Sequence, residues 1–242
     1  HLGEPAMDAK LRTHTFCHAV PGKWHVMGVM LAAGGSLRWL RDTLFAAESA
    51  VAGQLVRDPY ELMTAEAATA PVGSEGLIFL PYLTGERTPY PDPNARGVFF
   101  GLSLRHTKRH LARAVLEGVA YGLRDSFDLI AALGVDMPQV RASGGGARSE
   151  LWRQIQADVS QREMSVINVD EGAAFGAALL AGVGAGVYAD VVSACRQTIK
   201  VVHTLTPRPE AVATYEGYYQ LYRRLYAHLA GDFTALADLL PR

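Results

Sequence analysis

Ser143-Gly-Gly-Gly-Ala-Arg-Ser-Glu-Leu-Trp152 is the stretch from which the fold of this chain is read. A short β-branched run, Gln139 to Ala142, enters the three glycines, and Leu151, Trp152, Ile155 and Val159 leave them at three- and four-residue spacing. That pattern predicts strand, glycine turn and a helix from Arg148 to Ser160. Glycines at such a junction allow positive φ and let a ligand come within contact distance of the backbone. The exposed amides of the first helical turn, Ala147 to Glu150, are then placed to face a polar or anionic group. A tight turn with close helix-strand packing uses the same residues, so the segments around the turn decide between the two readings.

Outward from the turn, composition sets bounds. The 242 residues suit one large or two small domains and suffice for a substantial core. Lys plus Arg number 23 against 24 Asp plus Glu, with no basic stripe among aromatics, which argues against a nucleic-acid partner. Cys17 and Cys195 stand far apart, as free thiols do in a reducing cytosol. His14 and His18 share a strand face without metal-ligand company, so no metal site is predicted. His1 to Arg12 carries no signal-peptide pattern, and its uncapped opening reads as a cut inside a longer protein. Gly172 to Ala189 has no charge and holds Gly172-x-x-x-Gly176, yet alanine and glycine dominate it. It only just reaches the roughly 17 to 25 residues of a membrane span, so a buried, closely packed helix of a soluble protein is expected.

Along the chain, Thr13 to Val20 and Lys23 to Met30 flank Pro21-Gly22 and predict two antiparallel strands. Gly34-Gly35 then precede an amphipathic helix from about Ser36 to Ala46. Asp58 and Pro59 start a helix over Tyr60 to Ala68. Leu77 to Leu80 and Val98 to Leu102 read as strands around a long proline-rich loop, Pro81 to Gly97. Thr107 caps a long helix that Gly134 ends. A strand at Met164 to Val169 and a helix at Gly172 to Ala181 complete a β-α alternation that argues for parallel pairing within one central sheet. The remainder reads as helical, with a tyrosine stripe between Pro209 and Ala230 as a docking face.

Several of these stretches together resemble the FGGY family of carbohydrate kinases, of the actin, Hsp70 and sugar-kinase superfamily. Gly97-Val-Phe-Phe-Gly101-Leu102 and, seven residues on, His110-Leu-Ala-Arg-Ala114-Val-Leu-Glu117 look like the family's C-terminal signature. Ser143 to Ser149 resembles the adenosine motif, and Glu171-Gly-Ala-Ala-Phe-Gly-Ala-Ala-Leu-Leu-Ala181 the connecting helix after it. Phe16 to His25 and Phe79 to Pro89 are most similar to the xylulose kinase branch.

The resemblance runs from about Thr13 to the C-terminus and implies a ribonuclease-H-like α/β domain, with a mixed sheet and helices on both faces. It makes residues 1–242 the C-terminal nucleotide-binding domain of a kinase. The catalytic aspartate, the Gly-Thr-Ser-Gly phosphate hairpin and most sugar contacts belong to an N-terminal domain absent from this sequence, so no catalytic residue is assigned here. Nucleotide contacts carried over are Gly34 and Arg38 at the first helix, and Gly145, Gly146 and Ser149 at the glycine turn. Many relatives have a glutamine-like amide where Arg38 stands and an asparagine where Ser149 stands. ATP with Mg²⁺, a ketose or polyol such as D-xylulose, the N-terminal domain and a second copy of the chain are the implied partners, in the cytoplasm, with neither nucleic acid nor membrane.

Beside another FGGY kinase, acting on glycerol, ribulose or gluconate, two readings of other classes compete with a D-xylulose kinase. Gly144-x-Gly146-x-x-Ser149 followed by Asp170 approaches a dinucleotide-binding pattern, with the third glycine replaced. A non-catalytic nucleotide-gated interaction domain is the other. Among the carboxylates, Glu86 and Arg87 fit pairing with each other or with the missing domain as well as they fit touching substrate, Glu117 is expected to serve as a cap or in a salt bridge, and Asp92 sits in no base or metal arrangement.

Overall fold

The computed structural model describes residues 2–169 and 172–239. The early hairpin forms as expected: β1 (His14–Cys17) pairs antiparallel with β2 (Trp24–Met27) across the Pro21-Gly22 turn. Helices α1 (Ala33–Leu44) and α2 (Ala46–Gln54) meet at Phe45, a buried residue. Asp58 caps α3 (Pro59–Ala68) by accepting from Tyr60 N at 2.9 Å, as its place before Pro59 predicts. Strand β3 (Ile78–Leu80) pairs antiparallel with β4 (Val98–Phe100), and the proline-rich loop lies between them.

The core is built around α4 (Lys108–Ala132), every residue of which is buried from Ala112 to Gly122. Such a helix must meet neighbours on all sides, and α1, α3, α5, α8 and β3 supply them. At Gly118 the helix lies against β3 so closely that a Cβ would come 2.2 Å from the Phe79 carbonyl oxygen. Glu117, fully enclosed beside Arg113 at 2.7 Å, also accepts from Gly73 N, Ser74 Oγ and the Tyr215 hydroxyl. The expected salt bridge is therefore there, with hydrogen bonds that make a buried ion pair tolerable. Burial pushes the Glu117 carboxyl up, and Arg113 opposes that. Helix α8 (Pro209–Leu239) docks through Tyr215, Tyr219 and Tyr222, all buried, which bears out the reading of the tyrosine stripe.

After Gly134, at φ +77°, the chain runs β5 (Val140–Ala142), a short 3₁₀ turn over Gly145–Arg148, α5 (Glu150–Ser160) and β6 (Met164–Ile167). Strands β5 and β6 are parallel, as the alternation predicts. Helix α6 (Gly172–Gly184) passes through Gly182, and α7 (Val191–Thr198) follows. Five expectations are corrected. Helix α6 is not the buried helix expected from its small residues, since only Leu179 of its described residues is buried. The helical remainder is interrupted by β7 (Val201–Leu205), which pairs antiparallel with β6, because its β-branched run finds an open strand edge there. The mixed sheet is thus β5-β6-β7, but the described strands divide into three separate sheets rather than one, and β5 is at an edge. Helix α5 begins at Glu150 rather than Arg148, since the 3₁₀ turn and the cap at Ser149 occupy the residues before it. The stretch after the first helix, given no helix in sequence, forms α2.

Candidate functional site

A cleft of about 670 Å³ opens where three segments converge, within the range that holds a small ligand. Helix α1 contributes Gly34, Leu37, Arg38 and Arg41, a single face at three- and four-residue spacing. The start of α3 contributes Asp58 to Glu61 and Thr64, and the glycine turn Gly145, Gly146, Arg148, Ser149 and Trp152. All five residues carried over from the family motifs, Gly34, Arg38, Gly145, Gly146 and Ser149, line this one cleft. A second cavity, behind the turn at the ends of β5 and β6, is only about 70 Å³, room for little more than water.

The three glycines of the turn do different work. Gly144 is at φ +79°, a conformation that favours glycine, and it carries the reversal out of β5. Gly146 packs: a Cβ there would lie 2.9 Å from Cζ3 of Trp152, whose indole is buried and donates from Nε1 to Leu116 O at 3.1 Å. At Gly145 a Cβ would meet nothing within 4 Å, so its missing side chain leaves cleft space open. Positive φ is therefore confined to Gly144 among the three.

Ser149 caps α5, its Oγ accepting from Trp152 N at 3.3 Å, and its own proton is left for an acceptor in the cleft. The expectation of free amides from Ala147 to Glu150 is corrected in part, because Ala147 N already donates to Gly144 O at 3.0 Å inside the 3₁₀ turn. Arg38 and Arg148 make no hydrogen bond or ion pair among the described residues, so two unpaired guanidinium groups border the cleft. Asp170 and Glu171, invoked for the dinucleotide pattern and the connecting helix, lie outside the described residues.

The segment leading into α1 is held by the proline-rich loop. Glu86, 3 % exposed, accepts through Oε1 from Leu31 N at 3.0 Å and Arg87 N at 2.8 Å. Thr88 N donates to Val29 O, and Val29 N returns a bond to Thr88 Oγ1, both at 3.0 Å. Burial pushes the Glu86 carboxyl above its ordinary range, against the pull of those amides. Glu86 and Arg87 form no ion pair among the described residues; the carboxylate takes the Arg87 backbone N–H instead, and the loop's task is to set the entry to the cleft-lining helix. Asp92 is also committed, accepting from Asn94 N at 2.8 Å and the Tyr226 hydroxyl at 3.0 Å. None of Glu86, Asp92 and Glu117 lines the cleft. Among the described residues no group of three or more His, Cys, Asp or Glu could hold a metal ion, and no helix is long and apolar enough to cross a membrane.

Sequence reasoning missed Arg41, Tyr60, Glu61 and Thr64 as cleft residues. The start of α3 was legible from Asp58-Pro59, but nothing local tells that it faces the glycine turn.

Residues 2–185 match the C-terminal domain of the FGGY family of carbohydrate kinases. The chain belongs to that family. A xylulose kinase of Staphylococcus epidermidis is 41% identical over 213 residues, covering 88% of this chain and 41% of that protein. A gluconokinase of Bacillus subtilis is 36% identical over 243 residues, covering 98% of this chain and 46% of that protein. The crystal structure of ligand-bound xylulose kinase from Lactobacillus acidophilus superposes with a TM-score of 0.80 at 30% identity, over 97% of this chain and 46% of that one. That likeness shows the sugar-kinase α/β fold. The chain spans less than half the length of these relatives.

In this FGGY chain the signature segment builds architecture more than cleft. Gly101, at φ +90°, lets β4 end against Gly76, where a Cβ would come 2.4 Å from the Gly76 carbonyl oxygen. Arg113 and Glu117 are the buried pair of α4.

Proposed function

We propose that residues 1–242 are the nucleotide-binding half of an ATP-dependent sugar kinase, with Gly34, Arg38, Gly145, Gly146 and Ser149 around the nucleotide. The observation that carries this reading is their convergence on one cleft of about 670 Å³ from a helix and a turn distant in sequence. Gly145 leaves room for a flat ligand against the backbone, and Ser149 offers a hydroxyl proton. Arg38 and Arg148 supply positive charge at the same opening.

The reaction assigned to the complete protein is transfer of the ATP γ-phosphate to a hydroxyl of D-xylulose, in the cytoplasm. The similarity to xylulose kinases supports that sugar, and the similarity to gluconokinases keeps gluconate as the alternative. Phosphoryl transfer requires a base, phosphate-cradling donors and Mg²⁺ in one place. Mg²⁺ is assigned to ATP and the second domain in this reading. Calorimetric titration of Mg·ATP into the chain tests the reading. Saturable binding that Ser149→Ala or Gly145→Val weakens is the expected result, and heat indistinguishable from dilution overturns it.

A further inference from the structure

The part of the cleft lined by Arg41 of α1 and Tyr60 of α3 has no role assigned so far. We propose that Arg41 and Tyr60 form the surface on which the nucleotide's base stacks, an inference that rests on reading the cleft as a nucleotide site.

Tyr60 is anchored at its backbone and at its hydroxyl. Its N donates to Asp58 Oδ1 at 2.9 Å, its carbonyl oxygen accepts from Thr64 Oγ1 at 2.8 Å, and its hydroxyl accepts from Arg41 Nη1 at 3.0 Å. The Arg41 guanidinium carbon lies 5.1 Å from the Tyr60 ring centroid. Arg41 is fixed in turn by Asp42, whose Oδ1 takes contacts of 2.7 Å from both Nε and Nη2. Two planar groups are thereby paired before any ligand arrives, and pre-ordered side chains spare part of the entropy that binding would otherwise cost.

The chemistry of this wall suits a base rather than a phosphate. Asp42 neutralises Arg41, so the pair offers a flat polarizable surface with little net charge. Arg38 and Arg148, unpaired among the described residues, are the groups with charge to spend on an anion. Trp152, the other aromatic side chain of the cleft, is 4 % exposed and covered by Gly146, so it offers a base almost no area. Arg41 and Tyr60 thus remain as the preformed planar groups lining the same cleft as Gly145. Stacking on such a surface tolerates any heteroaromatic base, because every base has a π-face.

The test compares Mg·ATP, Mg·GTP and Mg·tripolyphosphate binding to the full chain and its Tyr60→Ala, Tyr60→Phe and Arg41→Lys variants, with melting temperatures recorded for each. Removing a stacking partner at Tyr60→Ala should weaken both nucleotides by about 5- to 100-fold, in similar proportion, and leave tripolyphosphate unchanged. Tyr60→Phe, which keeps the ring, should bind near wild type. Arg41→Lys keeps the charge and loses the plane, so it should weaken nucleotides selectively even where Tyr60→Ala does not fold. Folded variants that bind ATP like wild type, or that lose ATP and tripolyphosphate equally, overturn the base-stacking role while the nucleotide site stands. If wild type binds no nucleotide, the reading of the cleft fails and this inference with it.

Discussion

A Cβ added at Gly145 enters open cleft space, while one added at Gly146 strikes the Trp152 ring at 2.9 Å. The two neighbours should therefore fail in different ways. Gly145→Val is expected to fold, since no positive φ is needed there, and to weaken ATP by about 30- to 1,000-fold, or roughly 2 to 4 kcal/mol, by occupying the ligand's space. Sugar affinity in the complete protein should be unchanged. Gly146→Ala should instead lower stability by about 1 to 3 kcal/mol, the usual cost of overpacking, because the buried indole has its own hydrogen bond to Leu116 O and little freedom to retreat. Calorimetry for the first and chemical denaturation for the second read the difference. Equal ATP affinity in folded Gly145→Val would remove Gly145 from the nucleotide contacts.

The joint between α4 and α8 carries a proton question. The Tyr219 hydroxyl lies 2.7 Å from Asp125 Oδ1 and 2.9 Å from Asp128 Oδ2, yet it has a single proton to donate. One of the two carboxyls must therefore carry a proton for both contacts to be attractive. Asp125 is the buried one, with Oδ2 unpartnered, and burial pushes its carboxyl up to about 7 against the pull of Tyr219 and Arg223. Arg124 stacks on the Tyr219 ring at 4.0 Å, and Arg223 comes within 3.5 Å of Asp125 Oδ1. A folded-state value raised above the unfolded one means the folded chain binds the extra proton. This contribution to stability is complete below about pH 4 and is lost as pH rises to about 7. Urea titrations at stepped pH should show stability from this group falling over that window by on the order of a few kcal/mol. Asp125→Asn should flatten that segment, and a slope unchanged by the substitution would place the titration elsewhere.

Phosphoryl-transfer catalysis is mostly positioning and charge stabilisation; Glu86, Asp92 and Glu117 do not line the cleft, Asp58 there is used to cap α3, and the family's catalytic aspartate and phosphate hairpin match no residues of this sequence. The chain supplied with ATP, Mg²⁺ and D-xylulose or gluconate is therefore expected to give no sugar phosphate above background in a coupled assay. Turnover by these residues alone would contradict the division of labour proposed above. Much of the organisation was legible in the amino-acid order. Asp58-Pro59, Thr107 and Gly134 mark helix ends through short-range hydrogen bonding and backbone geometry, and the β1-β2 turn and the β5-turn-α5 junction are equally local. Family motifs pointed to Gly34, Arg38, Gly145, Gly146 and Ser149, and the fold put all five on one cleft. Strand β7, the division into three sheets, the edge position of β5 and the Arg41-Tyr60 wall were not legible. Strand pairing and cleft closure depend on which surfaces meet after the chain has folded back on itself. Caps and periodicities act over a few residues and are written in sequence, whereas the meeting of α1, α3 and the glycine turn around α4 is settled only by packing the core.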